Sequence, residues 1–439
     1  MPNEGLSAEA FLGELVRRHP TVEDISRQNS VAHWLVDQFR RDGIGDTRLV
    51  PYASEIGLIA DDYPERLNVV VEVKGKGTGT KEKVLLYGHY DVVKPSLHYK
   101  KISHLRSPFQ LVTDPVDPNW KFGLGSADMQ SGNTAIREAL LKMQLAAHRD
   151  ILVVLASDEE GASRGFHGAY NSRIFDGVDC AITPEILVNP RLLPPEKDHA
   201  LIIGRPGRFG LLVTSTGMEM HAGAVTDDDI SRLTESLDQR AVEAIRQLPL
   251  NGHPNDPEHL TPPPQALSLH LETMATGSLT VPASFKRYVN VHYWDHQQEP
   301  HVIAEMLRQR LRGIAREIFH DDPEKAQQAY TVSLEERPTP FTPPWKEEYH
   351  HPFISRMQEL MNRVNVRARG RPDAIHRVVD QGVADCGLIA NYLHCPVVGT
   401  PLRRRDPHQH TEQVYFPDID YIADVIAEAA AYPGLLSER

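Results

Sequence analysis

The chain has 439 residues, more than one hydrophobic core usually serves, so two domains are expected. Its apolar share of 40% and charged share of 24% are those of a water-soluble globular protein, and a formal charge of −13 argues against a nucleic acid or an anionic membrane as partner. The cysteines, Cys180, Cys386 and Cys395, are odd in number and lack framework spacing, which argues against a disulfide scaffold and fits a reducing cytosol. The opening MPNEGLSAEAF has no basic stretch followed by an apolar one, so no secretion signal is read and a cytoplasmic location is expected. Apolar runs such as ILVVLA (151–156) are too short to cross a bilayer.

Helical apolar spacing covers 7–18 and 27–42. LNVVVEV (67–73) and EKVLLYGHYDVV (82–93) read as strands, and the loop KGKGTGTK between them reads as a hairpin connection, because it lacks P-loop spacing and no helix follows. Residues 94–122 are rich in Pro, His, Lys and Asp and read as a long loop beside a strand end, a common place for function. An amphipathic helix is predicted over 131–148, a buried strand ending in acids over 150–161, and a short strand over 180–185. Strands alternating with helices predict an α/β layer structure with ligands at the strand ends. GRPGRFG (204–210) reads as a hinge. After it come a helix over 226–248, a Pro-rich loop over 253–264, a strand pair around 277–294, a helix over 300–319 and a strand at 330–337, together a self-contained α+β insert. Helices at 347–365, 385–394 and 417–432 and a strand at 396–401 complete the chain.

The chemistry-bearing residues sit at predicted strand ends. His89 and Asp91 lie two apart in a strand, so they share a side, as a metal ligand and the carboxylate that fixes its tautomer would. Asp128 lies in the glycine-flanked run GLGSADMQSGN (123–133), where a carboxylate can bridge two cations. Glu159 and Glu160 end a buried strand and face opposite ways, so one can bind metal while the other handles protons. Glu185 ends another strand, and PHQHTE (407–412) offers His408, His410 and Glu412. Each of these alone also reads as ordinary structure: a capping turn, a solvated acidic loop, a polar surface loop. Jointly they describe a mixed nitrogen and oxygen site suited to zinc, with enough carboxylates for a dinuclear cluster.

With those motifs in that order, nearly the whole chain resembles the zinc-dependent aminoacylase and carboxypeptidase family. That family includes glutamate carboxypeptidase, succinyl-diaminopimelate desuccinylase, acetylornithine deacetylase and carnosinase-type dipeptidases. The resemblance implies an α/β catalytic domain with a central mixed sheet, residues 1–203 and 338–439, interrupted by a smaller α+β lid and dimerisation domain, residues 204–337. It implies that His89 and Glu185 hold one zinc, that Glu160 and His408 hold the other, and that Asp128 bridges them; cobalt or manganese would suit the same ligands. Asp91 would orient His89, and Glu159 would be the general base of amide hydrolysis. His221 would reach the active site of a partner subunit from the lid, in a homodimer. From its residues alone His221 reads as a surface residue before a helix start, with Thr226 and Asp229 as an N-terminal cap.

Departures from the family pattern bear on the substrate. Leu279 stands where members commonly carry Asn, Asn290-Val-His292 where they carry an acid-x-Arg, Cys386 where an Arg often follows Asp385, and Leu124 at the Arg position of the glycine-rich loop. A bidentate Arg fork is hard to replace with a neutral imidazole. The expectation is that a free α-carboxylate is not read in the usual place, and that His292 or the arginines 403–405, Arg405 in particular, read another group. Glu185, rather than Asp, tilts the resemblance toward deacylases and carboxypeptidases. A metal-binding protein without hydrolysis and a tailoring enzyme performing acyl transfer are the competing readings. Neither G-x-S-x-G nor H-E-x-x-H occurs.

Overall fold

The computed structural model describes residues 5–52, 65–76, 82–95, 107–143, 149–186, 197–216, 220–221, 231–250, 264–274, 280–281, 284–295, 299–335, 341–372, 375–432 and 434–436. The chain divides into two compact units, Met1–Arg205 with Trp345–Arg439, and Pro206–Pro344.

The first unit is built on a nine-stranded mixed sheet. Its strands run in the order Asp46–Tyr52, Arg66–Val73, Asp150–Ala156, Lys83–His89, Cys180–Thr183, Val397–Gly399, His199–Arg205 and Trp345–Lys346, with Ile375–Val379 also paired to His199–Arg205. The three central strands, Asp150–Ala156, Lys83–His89 and Cys180–Thr183, are parallel. Their sequences, ILVVLA, VLLYGH and CAIT, are nearly continuous apolar runs and are buried, as strands covered on both faces require. A buried Leu, Val or Ile contributes about 1.5–3 kcal/mol, so these strands are the best-anchored part of the unit.

The helices flanking this sheet carry their own signals. Ser7 Oγ accepts the Ala10 N–H at 3.2 Å to start Ala8–Arg18, and Asp24 accepts the Arg27 N–H at 2.9 Å to start Ile25–Arg41. Pro352 and Pro417 open Pro352–Arg369 and Pro417–Ala431 at the position where a missing N–H costs nothing. Gly370, at φ 68°, ends the former in the left-handed conformation. Ser131–Met143 packs on Pro417–Ala431.

Two sequence expectations are corrected. The KGKGTGTK loop does not close a hairpin: Arg66–Val73 pairs with Asp150–Ala156, which lies between it and Lys83–His89. Asp150–Ala156 is the more apolar partner and takes the central place. The strand pair of the second unit is not confined to 277–294: the long partners are Gln265–Met274 and Ser284–Tyr293.

The second unit has a five-stranded antiparallel sheet, ordered Gln265–Met274, Ser284–Tyr293, Gly207–Thr216, Tyr330–Leu334, with Phe341–Thr342 added to Gly207–Thr216. Alternate residues Phe209, Leu211 and Val213 are buried against Leu237 and Ala241 of helix Ser231–Arg246 and Leu307 and Leu311 of helix Pro300–Ile318. This is the period-two pattern of a sheet with one face on a core. GRPGRFG is therefore the end of one strand and the start of another, joined at Pro206.

Candidate metal centre and active site

The parallel strands Asp150–Ala156, Lys83–His89 and Cys180–Thr183 end at one edge of the sheet, and the candidate residues cluster there. His89 is the last residue of its strand, opposite Ala156. Glu159 and Glu160 follow the neighbouring strand by three and four residues, and Glu185 follows the other by two. Carboxyl ends of parallel strands are where open α/β sheets place ligands.

His89 is fully buried, and its ring is held by its neighbours. Nδ1 donates to the Asp91 main-chain oxygen at 3.1 Å, which turns Nε2 toward Asp128. Asp91 lies beside this ring and also holds the acidic turn. Its carboxylate is 3.5 Å from Nδ1 and serves chiefly as acceptor for the Glu159 and Glu160 N–H groups, both at 3.1 Å. It thus ties the His89 loop to the acidic turn. Asn133 donates to the His89 oxygen and Gln130 to the Tyr90 oxygen, each at 2.6 Å, docking helix Ser131–Met143 on the strand end. The approach is close enough to need glycine at 88: a Cβ there would lie 2.4 Å from Asn133 Oδ1.

Asp128 stands between two imidazoles. Oδ1 is 3.2 Å from His89 Nε2 and Oδ2 is 2.9 Å from His408 Nε2. Glu185 Oε2 and Glu159 Oε2 lie 3.8 and 3.9 Å from His89 Nε2, and Glu160 Oε1 lies 3.1 Å from His408 Nε2. Two groups result, His89 with Asp128 and Glu185, and Asp128 with Glu160 and His408, each with donor atoms within 4.8 Å of one another. Asp91 and Glu159 stand beside these groups. His410 joins neither among the described residues.

The loop of Asp128 and that of His408 are fastened together by Glu412, which is fully buried. Its Oε1 accepts the N–H of Ala127 at 2.8 Å and of Asp128 at 3.0 Å, and its Oε2 accepts the N–H of His408 at 3.1 Å. Sequence reading names Glu412 only as a candidate ligand; that it organises the site through backbone contacts has no sequence signal.

The electrostatics explain what this constellation can hold. Burial works against ionising Asp128, yet hydrogen bonds from His408 and His89 outweigh it and keep the carboxyl well below the usual range. Glu185 is pushed up to about 7 by burial and by the charge of Asp128. Burial, together with Asp385, Glu160 and Glu185, holds Glu159 well above an ordinary carboxyl despite His89. His408 rises to about 11, since the hydrogen bond to Asp128 and the negative charge of Glu160 override its own burial. Four carboxylates thus face two imidazoles. Glu160 Oε1 is buried without a hydrogen-bond partner, since His408 Nε2 approaches it outside hydrogen-bond geometry. An excess of buried negative charge, imidazole nitrogens aimed at it and an orphaned carboxylate oxygen fit divalent cations in a mixed nitrogen and oxygen site.

The remaining candidates lie elsewhere. His292 belongs to the second unit, where Gln265 and Asn290 engage its two ring nitrogens at 3.3 Å and burial pushes it down to about 4. The backbone of Met220–His221 pairs with Thr280–Val281, while the His221 side chain, Thr226, Asp229 and Leu279 lie outside the described residues. Arg405 is exposed and stacks 3.9 Å over the Trp120 ring. Arg403 stacks 3.8 Å over Tyr415 and is held by Asp418. Because Trp120 and Tyr415 are cross-strand partners, both arginines lie on one face of their small sheet. Arg404 lies on the opposite face, level with the fully buried Val414, among the charges of Asp380, Asp128 and Glu412. Arg205 is a fully buried guanidinium that sequence reading missed: it donates to the Ile186 oxygen beside Glu185 and lies 3.4 Å from Asp380. An Arg inside a glycine-rich run gives no hint of that burial.

Comparison with known proteins agrees with this architecture. Residues 85–432 match the model of peptidase family M20/M25/M40. The chain belongs to that family, a class of metal-dependent hydrolases. Carboxypeptidase G2 of Pseudomonas sp. (strain RS-16) is 28% identical over 193 residues, 43% of this chain and 40% of that enzyme, so the match spans about two fifths of its length. The M20 metallo-carboxypeptidase Sso-CP2 of Sulfolobus solfataricus has the same fold at 14% identity, with a TM-score of 0.67 over 97% of this chain and 99% of its own. The YXEP protein of Bacillus subtilis, a dinuclear metal-binding peptidase, superposes with a TM-score of 0.57 at 12% identity over 96% and 98%. Among the described residues no helix is long and apolar enough to cross a membrane.

Proposed function

We propose that this protein is a dinuclear zinc hydrolase of a peptide or N-acyl amino-acid amide bond, with Glu159 as general base. The observation that carries the reading is Asp128, whose two oxygens face the Nε2 atoms of His89 and His408 in two ligand groups that share it. His89, Asp128 and Glu185 would hold one cation, and Asp128, Glu160 and His408 the other. When bound, such a pair supplies a water of lowered pKa and polarises an amide carbonyl.

The chain's own residues do the rest. Glu159 is nearly enclosed, with Oε2 directed toward the cluster, and its surroundings raise its proton affinity. It takes the proton of the attacking water at Oε2 and delivers it to the leaving nitrogen. Asp91 fixes the turn that aims Glu159, and Glu412 fixes the loops of Asp128 and His408.

Arg404, rather than Arg405, is the guanidinium we assign to substrate binding, because it lies on the sheet face toward Asp128 while Arg405 is committed to Trp120. An arginine there suits a substrate carboxylate. The unit Pro206–Pro344 is proposed as lid and homodimer interface, with His221 donating to the reacting oxyanion of the partner, in a cytoplasmic enzyme.

The test is metal stoichiometry by elemental mass spectrometry on protein purified without added metal, followed by a panel of peptides and N-acyl amino acids. About two zinc per chain, with hydrolysis that a chelator abolishes and zinc restores, is the expected result. Protein that holds no metal even after zinc is added would sink the reading.

A further inference from the structure

The second unit carries a cleft that the proposed hydrolysis does not use. Its volume is about 690 Å³, the size of a small-molecule site. Helix Pro300–Ile318 forms one wall, and the short helix Pro323–Gln328 and strand Tyr330–Leu334 form the others. Arg308, Arg312 and Arg316 all line it. They recur every fourth residue, so they stand on one stripe that spans about 12 Å of helix. Leu311, Ala326 and Val332 supply apolar surface between and below them.

The strand adds backbone donors. Tyr330–Leu334 is an edge strand, paired on its inner side with Gly207–Thr216. The Thr216 N–H donates to the Ala329 oxygen, so by antiparallel alternation Thr331 and Ser333 turn their backbone groups inward. Tyr330 and Val332 turn theirs outward. Arg308 Nε accordingly donates to the Val332 oxygen at 2.9 Å, and the Val332 N–H points to the same outer side.

The charge there is unbalanced. Glu305 is the counter-charge, 3.0 Å from Arg308 and 3.9 Å from Arg312. Arg316 has no hydrogen bond or ion pair among the described residues. Compensation of the helix dipole accounts for an arginine in the last turn, which covers Arg316 alone. It does not account for Arg308 and Arg312, one and two turns earlier, facing the same cleft. Three guanidiniums at steps of about 6 Å beside outward N–H groups match the spacing of a multiply charged oxyanion.

We propose that this cleft binds a small polyanion carrying two or more phosphate or carboxylate groups. The full metal-loaded chain is titrated with pyrophosphate by isothermal calorimetry, beside R312Q/R316Q. Both side chains are exposed, so the double substitution leaves the core of the unit intact, and an unchanged thermal midpoint checks this. The expected result is one saturable site per chain that weakens about tenfold or more in the double variant, since charge-assisted hydrogen bonds are lost. Absence of saturable binding would overturn the proposal. So would equal affinity in both proteins, because an ion held only at the metal centre survives the substitutions. Neither result bears on hydrolysis, which is read separately on the same preparations.

Discussion

The Asp128 N–H donates to Glu412 Oε1 at 3.0 Å across a sequence separation of 284 residues. Ala127 shares that oxygen and His408 takes the other, so one buried carboxylate sets the distance between the two loops that carry Asp128 and His408. Glu412→Gln keeps the shape but leaves one acceptor oxygen and turns an NH₂ group toward an N–H. An unsatisfied buried donor costs about 1–3 kcal/mol, and loss of such an orienting partner weakens metal binding by about 10–100-fold. Urea melts and competitive metal titration measure the two effects. Wild-type metal affinity in the variant would show that Glu412 is a mere structural filler.

Glu159→Gln removes the proton acceptor without removing a member of either ligand group. Turnover is expected to fall by about 10²–10⁴-fold while both metals remain. Elemental analysis and steady-state kinetics on one preparation separate the outcomes. Metal loss in this variant would contradict the base role and make Glu159 a ligand.

The parts of this architecture legible in sequence are those governed by local rules. VLLYGH and ILVVLA announce buried strands because continuous apolar runs have no other use in a chain of this polarity. His89, Glu159, Glu160 and Glu185 stand out because polar residues follow immediately on such runs. Sheet order is another matter. Nothing within Arg66–Val73 or Lys83–His89 says that Asp150–Ala156 separates them, since that choice depends on competition among distant strands. The same limit hides the partners of the site. Arg205 is buried beside Glu185 only because Ile186 and Asp380 meet it there, and Arg404 differs from Arg405 only by strand register. Register of a two-residue strand leaves no trace in hydropathy.

Arg404 and Arg405 offer a direct contrast, being neighbours on opposite faces. Arg404→Gln is expected to lower kcat/KM for a carboxylate-bearing substrate by about 10–100-fold, the worth of one charge-assisted contact, and to leave the matching carboxamide nearly unaffected. Arg405→Gln, which loses a stacking contact on Trp120 and a 3.4 Å hydrogen bond to Gln413 Oε1, should change either substrate by about twofold at most. Wild-type discrimination between acid and amide in Arg404→Gln would remove Arg404 from the substrate site.

His199 ties acid stability to a position outside both candidate ligand groups. It opens strand His199–Arg205, stacks 4.1 Å from Tyr421, and its Nε2 accepts from Arg369 Nη1 at 2.5 Å. Accepting there requires a neutral ring. Burial pushes its pKa down to about 4, with Arg369 and Arg403 adding to the effect and Asp418 opposing it. An unfolded histidine titrates near 6.5, so the folded value is the depressed one. Above pH ~6.5 both states are neutral and the group adds no pH dependence. Between pH ~6.5 and ~4 the unfolded chain binds a proton that the folded chain refuses, so stability falls as pH falls, by about 2–3 kcal/mol over the window. His199→Gln removes this titration while the other acid-labile groups remain. Denaturant midpoints at pH 7 and pH 5 should therefore drop less in the variant than in the wild type. Equal drops, or an imidazole NMR titration of His199 near 6.5, would show that the ring charges freely in the folded protein.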